Sequence, residues 1–252
     1  DNEGAWLKAL EEDLSKSPEE AYATEIALLL NEIDFMKKHL RKWMRPRRKR
    51  RLLLTGLEKT EVSRRPYGSI LVIAPWNFPV QLSLMPVIGA LAAGNSVVLK
   101  PSEHAPATSR QLAELIPLYF ESDLLRVIEG DKEVAQQLTA VDWDFIFFTG
   151  SVSTGQKVYE AASRNLTPVL LQLGGKNPCI VDDSPLSDET VKQIIWGKFT
   201  NAGQACIAPD TVYIDRRRYA EFLEKAEKQI QDFYGKHPVD SSHYSRIVHD
   251  KQ

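Results

Sequence analysis

From Tyr67 onward the chain alternates short, almost wholly apolar runs with helix-length segments, and no other feature constrains the fold as tightly. The runs are SILVIA (69–74), SVVL (96–99), LLRVI (124–128), FIFF (145–148), VLLQL (169–173) and CIV (179–181). Each is too short for a stable helix, and its apolar residues are consecutive, not alternating. Strands buried on both faces of a parallel sheet carry this pattern. The segments near 80–93, 106–120, 132–139 and 153–165, then 187–202 and 217–234, read as helices. Such a β-α-β-α order predicts an α/β fold, a doubly wound and mostly parallel Rossmann-like sheet.

Upstream, residues 4–16 and 18–43 predict an N-terminal helical pair. Ser17-Pro18-Glu19-Glu20 carries a helix start: a capping Ser, Pro in the first turn, then acids. Ile26, Leu29, Leu30, Ile33, Met36 and Leu40 recur at steps of three and four, a single apolar face. The chain then divides into N-terminal helices and linker (1–66), a nucleotide-binding-like unit (67–170) and the start of a second α/β unit (171–252).

Charge narrows the partners. Net charge is −2, so no global field draws nucleic acid or a membrane surface. The run Arg45-Pro46-Arg47-Arg48-Lys49-Arg50-Arg51 admits two readings, an anion or nucleic-acid patch and a solvated linker after a helix C-terminus. No basic face or interleaved aromatics accompany it, which favours the linker. Cys179 and Cys206 are the only two cysteines, which argues against a disulfide framework and for a reducing, cytoplasmic setting. The opening DNEGAWLKALEEDLSK does not read as a signal peptide, and no apolar run approaches the roughly 18–20 residues of a transmembrane helix.

Five segments carry candidate chemistry. Thr149-Gly150-Ser151-Val152-Ser153-Thr154-Gly155 follows a strand and opens a helix, where backbone N–H groups favour phosphate. Four residues separate its glycines, but Gln156-Lys157 stands where a P-loop requires Lys-Ser/Thr, so this is not a P-loop NTPase. Pro75-Trp76-Asn77-Phe78-Pro79 places a polar amide between two aromatics at a strand's carboxyl end; a plain proline-bracketed turn is the alternative. Lys100 and Glu103 end another strand and suit ribose hydroxyls or phosphate, or form an exposed loop pair. Gln172-Leu173-Gly174-Gly175-Lys176 puts a glycine pair after a strand, a sign of an unusual turn or close backbone approach. Cys206 sits among small residues in Asn201-Ala202-Gly203-Gln204-Ala205-Cys206, open to substrate. Its alternative is a buried structural cysteine, the reading that Cys179 takes.

In this order, PWNFP (75–79), LKPSE (99–103), FTGSVSTG (148–155), QLGGKNP (172–178) and WGKFTNAGQACIAPD (196–210) resemble the aldehyde dehydrogenase superfamily, closest to its class 3-like branch of fatty and aromatic aldehyde dehydrogenases. The resemblance implies NAD(P)-dependent oxidation of an aldehyde. Cys206 is then the nucleophile, and Asn77 with the Cys206 backbone N–H holds the oxyanion. Residues 67–170 become a dinucleotide-binding domain and 171–252 a partial catalytic domain. Trp76, Lys100, Glu103, Gly150, Ser151, Gly155, Leu173 and Gly174 are assigned to the cofactor. NAD is expected, with NADP possible, because Glu103 would repel a ribose 2′-phosphate. No metal is implied. Phe78, Trp196 and Phe199 are expected to make the visible pocket apolar.

Two departures stand out. The family carries a general-base glutamate where this chain has Gln172, and an amide cannot take a proton from water. Acylation and hydride transfer are then expected to outpace deacylation. The family also continues past this point, so a homodimer is expected where the C-terminal part is present, and apolar surface meant for that part is expected to be exposed. A catalytically silent dinucleotide-binding or structural homologue is the competing reading.

Overall fold

The computed structural model describes residues 2–48 and 60–250. The helical start comprises α1 (Glu3–Leu14), α2 (Pro18–Ala21), a π-helical turn (Tyr22–Ile26) and α3 (Ala27–Trp43). Ser17 caps α2 by accepting from the Glu20 N–H, as the sequence predicts. The single helix expected over 18–43 is instead interrupted by the π turn. Its apolar stripe is only partly covered, because α3 packs against the next helix along one edge. Leu29 is buried, while Leu30 and Ile33 stay exposed. Part of the basic run forms β1 (Arg47–Arg48), paired antiparallel with β2 (Glu61–Val62); residues 49–51 lie outside the described residues.

The main sheet contains β3 (Ser69–Ile73), β4 (Ser96–Lys100), β5 (Leu125–Val127), β6 (Phe145–Gly150) and β7 (Val169–Leu173). All neighbours are parallel, in the order β5-β4-β3-β6-β7. Counted within the sheet this is 3-2-1-4-5, five of the six positions of the doubly wound 3-2-1-4-5-6 order. A division after residue 170 runs through β7, which pairs with β6 as far as Leu173. On one face, α4 (Gln81–Ala92) and α5 (Pro106–Tyr119) bury Ile70, Val72, Val97, Leu99 and Leu112. On the other, α6 (Lys132–Thr139) and α7 (Val152–Ser163) lie over Leu71, Ile73, Ile146 and Phe148. The continuous apolar runs of β3, β4 and β6 therefore have helices on both sides.

The second unit pairs β8 (Asn177–Val181) in parallel with β9 (Pro209–Ile214). Its core joins Val181, Val212 and Ile214 to α8 (Asp188–Phe199) and α9 (Tyr219–Tyr234). The sequence reading had no strand at β9, although Thr211-Val212-Tyr213-Ile214 carries the β-branched and aromatic signal. The helix expected over 187–202 ends at Phe199, and a 3₁₀ turn follows in which Asn201 (φ 53) and Ala202 (φ 52) are left-handed. Among the described residues no helix is long and apolar enough to cross a membrane.

Candidate active site

Strand order reverses between β3 and β6, and in open α/β sheets ligands bind in the crevice at that switch point. The chain leaves β3 through Pro75-Trp76-Asn77 and leaves β6 through Ser151 into α7. A cleft of about 460 Å³ opens there. Its walls include Trp76, Asn77, Gly150, Ser151, Gln172, Leu173, Gly174 and Cys206. Three elements distant in sequence thus bring the amide, the thiol and the helix N-terminus to one surface.

Cys206 is partly exposed, not packed in the interior. Asn177 Nδ2 donates to its backbone oxygen at 2.7 Å and to that of Ala208 at 3.0 Å, fastening the loop to the start of β8. Asn77 Nδ2 donates to the Gln204 backbone oxygen at 2.9 Å, two residues before the thiol. An amide nitrogen has two protons, so one holds the loop and one remains for a ligand oxygen. Gln172 lies on the exposed face of β7 and lines the same cleft. The Gly174 and Gly175 φ values of 101° and 149° make the turn from β7 to β8 that the glycine pair predicted.

The N-terminus of α7 opens on the cleft. Ser151 caps α7, accepting from the Thr154 N–H at 3.2 Å, and no acid occupies the first turn. Lys100 and Glu103 form an ion pair of 2.8 Å at the end of β4 and are not part of the cleft wall. Lys100 is buried and also donates to the Pro101 oxygen. Burial alone would push the Glu103 carboxyl up, but the Lys100 hydrogen bond and charge outweigh it and hold it below the usual carboxylate range. Gly155 also stands off the cleft. It is buried in α7, where a Cβ would meet Leu173 Cδ2 at 2.7 Å, so it permits close packing of helix on strand. Phe78, Trp196 and Phe199 do not line the cleft; Trp76, Leu82, Leu173 and Ile247 give its apolar wall instead. Phe78 lies under the Lys16 ammonium and Phe199 joins Tyr234 and Tyr244.

Residues the sequence reading missed hold this geometry. Glu20 Oε1 accepts from the Asn201 N–H at 2.8 Å and from the Ser245 hydroxyl at 3.1 Å. Burial pushes its carboxyl up, against the Lys16 charge and those two hydrogen bonds. Gln204 ties the thiol loop to the 246–248 segment: its Nε2 donates to the Arg246 oxygen at 2.9 Å and its Oε1 accepts from the Val248 N–H at 2.9 Å. Cys179 is partly buried away from the cleft, and burial raises its thiol pKa. Among the described residues no group of three or more His, Cys, Asp or Glu side chains could hold a metal ion.

Comparison with known proteins finds the family described as "Aldehyde dehydrogenase family" over residues 2–252. A 4,4'-diapolycopene-4,4'-dial dehydrogenase of Cytobacillus firmus is 51% identical over 250 residues, 99% of this chain and 55% of the relative. Aldehyde dehydrogenase family 3 member B1 of Mus musculus is 39% identical, over 100% of this chain and 54% of that protein. A solved structure described as the substrate-bound state of Staphylococcus aureus AldH superposes with a TM-score of 0.95 at 40% identity, covering 99% of this chain and 55% of the other. The chain spans about half the length of the curated relatives it matches.

Proposed function

The chain belongs to the aldehyde dehydrogenase family, and on that premise we propose that its cleft oxidises an aldehyde to a carboxylic acid through a thioester on Cys206, with deacylation slowed by Gln172. The convergence of Cys206, Asn77 and Gln172 on one wall carries the reading. Cys206, as thiolate, attacks the carbonyl carbon to give a thiohemiacetal. The free Asn77 amide proton and the Cys206 backbone N–H meet the developing oxyanion. A nicotinamide dinucleotide bound in the cleft would supply the hydride acceptor, so that the carbon held on Cys206 regains its C=O as a thioester. Water then adds to that carbon, losing a proton to bulk solvent, and the thiolate leaves with the acid released. Gln172 can orient this water by hydrogen bonding, but it takes no proton from it.

The residues fit such a dinucleotide. The switch-point crevice, the acid-free N-terminus of α7 and the Ser151 cap suit a pyrophosphate, and the Lys100–Glu103 pair at the end of β4 suits a ribose. An anionic Glu103 supports NAD over NADP. The Cytobacillus firmus relative's name denotes a dialdehyde; Trp76, Leu82, Leu173 and Ile247 support an apolar aldehyde here. A cytoplasmic homodimer completes the reading, supported by two free, unbridged thiols for the first and by family resemblance for the second.

The test mixes the protein with a medium-chain or aromatic aldehyde and NAD, and follows NADH absorbance and intact mass together. The expected result is a stoichiometric burst and a covalent acyl adduct on Cys206. Steady turnover from the start would remove the slow-deacylation part. Neither burst nor adduct, in a protein that still binds NAD, would leave the silent homologue as the answer.

A further inference from the structure

A fully buried ion pair lies beneath the loop that carries Asn77. Lys16 and Glu25, each with its side chain entirely enclosed, meet between α1, the π turn and that loop. Glu25 Oε2 accepts from the Val80 and Gln81 N–H groups at 2.8 and 3.0 Å, fixing where the loop ends and α4 begins. Lys16 Nζ donates to the Asn77 backbone oxygen at 3.3 Å and sits 4.2 Å from the Phe78 ring centroid. An enclosed ion pair is a poor route to stability, since an apolar replacement of equal shape is often neutral or better. These charges are spent instead on backbone groups flanking one side chain.

Glu20, one turn earlier, does the same for the opposite wall. Its carboxylate holds the Asn201 N–H at the first of two consecutive left-handed, non-glycine residues. Such a pair persists only where its surroundings impose it. Asn201 Nδ2 then reaches the Asn77 oxygen at 2.6 Å and the Gln204 oxygen at 3.2 Å, and Asn77 Nδ2 reaches that same Gln204 oxygen. The Asn77 loop and the thiol loop are thereby joined through one residue, Asn201, whose backbone Glu20 clamps.

We propose that Glu20 is a positioning residue that, with the buried Lys16–Glu25 pair, holds the Asn77 amide and the Cys206 loop in mutual register for oxyanion formation. This rests on the reading of Cys206 and Asn77 given above. Glu20 touches no reacting atom; it acts through Asn201. Gln at position 20 keeps an acceptor for the Asn201 N–H, and Ala removes it.

The experiment compares wild type, Glu20→Ala and Glu20→Gln by the rate of aldehyde adduct formation on Cys206 with NAD present. Alkylation of Cys206 and Cys179 by iodoacetamide, which needs no oxyanion donor, and Tm are read in parallel. Glu20→Ala is expected to slow adduct formation by about tenfold or more, the scale of a sub-ångström to 1 Å misplacement, while Cys206 alkylation and Tm change little. Glu20→Gln is expected to restore most of the rate. An equally fast Glu20→Ala overturns the role. So does a loss in which Tm and both alkylation rates move together and Gln gives no rescue, because that is general loosening. A wild type that forms no adduct refutes the catalytic reading itself and this role with it, whereas a reactive wild type with an indifferent Glu20→Ala refutes the role alone.

Discussion

Among the described residues the two parallel sheets use similar strands and bury them differently. β3 and β4 have helices on both faces, and Leu71, Val72 and Leu99 are almost wholly enclosed. Among the described residues β8 and β9 have helices on one face only: Val181, Val212 and Ile214 meet α8 and α9, while Ile180 and Tyr213 on the other face are 79% and 60% exposed. The proposed site residues divide along the same line. Asn77 and Ser151 leave strands of the fully covered sheet, and Cys206 lies on the loop that enters β9. Packing on both sides fixes the strands that Asn77 and Ser151 leave. The thiol loop is fixed across the cleft by hydrogen bonds from Asn177, Asn201 and, at one remove, Glu20.

The largest expected effect lies where the two regions meet, on edge strand β7. Gln172→Glu supplies a carboxylate on the same cleft wall and is expected to raise steady turnover by about 10²–10⁴-fold, read as NADH formed after the burst. Unchanged turnover, with the adduct still accumulating, would show that something other than the missing base limits release.

Packing comes next. Leu71→Ala empties a site in the middle of the covered sheet and is expected to lower unfolding free energy by about 2–5 kcal/mol. Ile180→Thr alters an equally apolar strand position of the second sheet and should stay within about 0.5 kcal/mol. Urea denaturation of both variants makes the comparison. Equal losses would mean that the outer face of β8 and β9 is covered in solution, and the contrast between the sheets would vanish.

The same contrast explains what could be read from residues alone. Strands β3, β4 and β6 end within two residues of the apolar runs that announce them, because burial on both faces writes a continuous signal. The loops at their carboxyl ends were legible for a related reason: a sheet order fixes which strand ends converge, so Asn77, Ser151 and Gln172 reach one cleft. β9 was hidden because half its residues face outward, and Pro209-Asp210 at its start reads as a loop. Glu20 and Glu25 were invisible as inward groups. In sequence they look like surface charge near a helix start, and the π turn, the Lys16 ammonium and backbone N–H partners 55 or more positions away turn them inside. No local pattern encodes the left-handed Asn201 and Ala202, which are held by Glu20 and Asn77 from other elements.

The smallest effect separates the regions most cleanly, because the same local structure occurs in both. Ser151 caps α7 by accepting from the Thr154 N–H, and Ser187 caps α8 by accepting from the Thr190 N–H. The two Ser-x-x-Thr starts differ in surroundings. α7 opens on the cleft with no acid in its first turn, whereas α8 opens away from the cleft with Asp188 and Glu189 there. Ser151→Ala and Ser187→Ala should therefore each cost about 1 kcal/mol of stability. Only the first should weaken NAD binding, by roughly 0.5–1.5 kcal/mol for a lost hydrogen bond, or about two- to tenfold in Kd. Calorimetric titration of both variants decides it. Equal Kd values for the two would move the pyrophosphate away from α7, and a weaker Ser187→Ala would mean that the one-sided second unit transmits strain to the cleft that its own hydrogen bonds are otherwise sufficient to absorb.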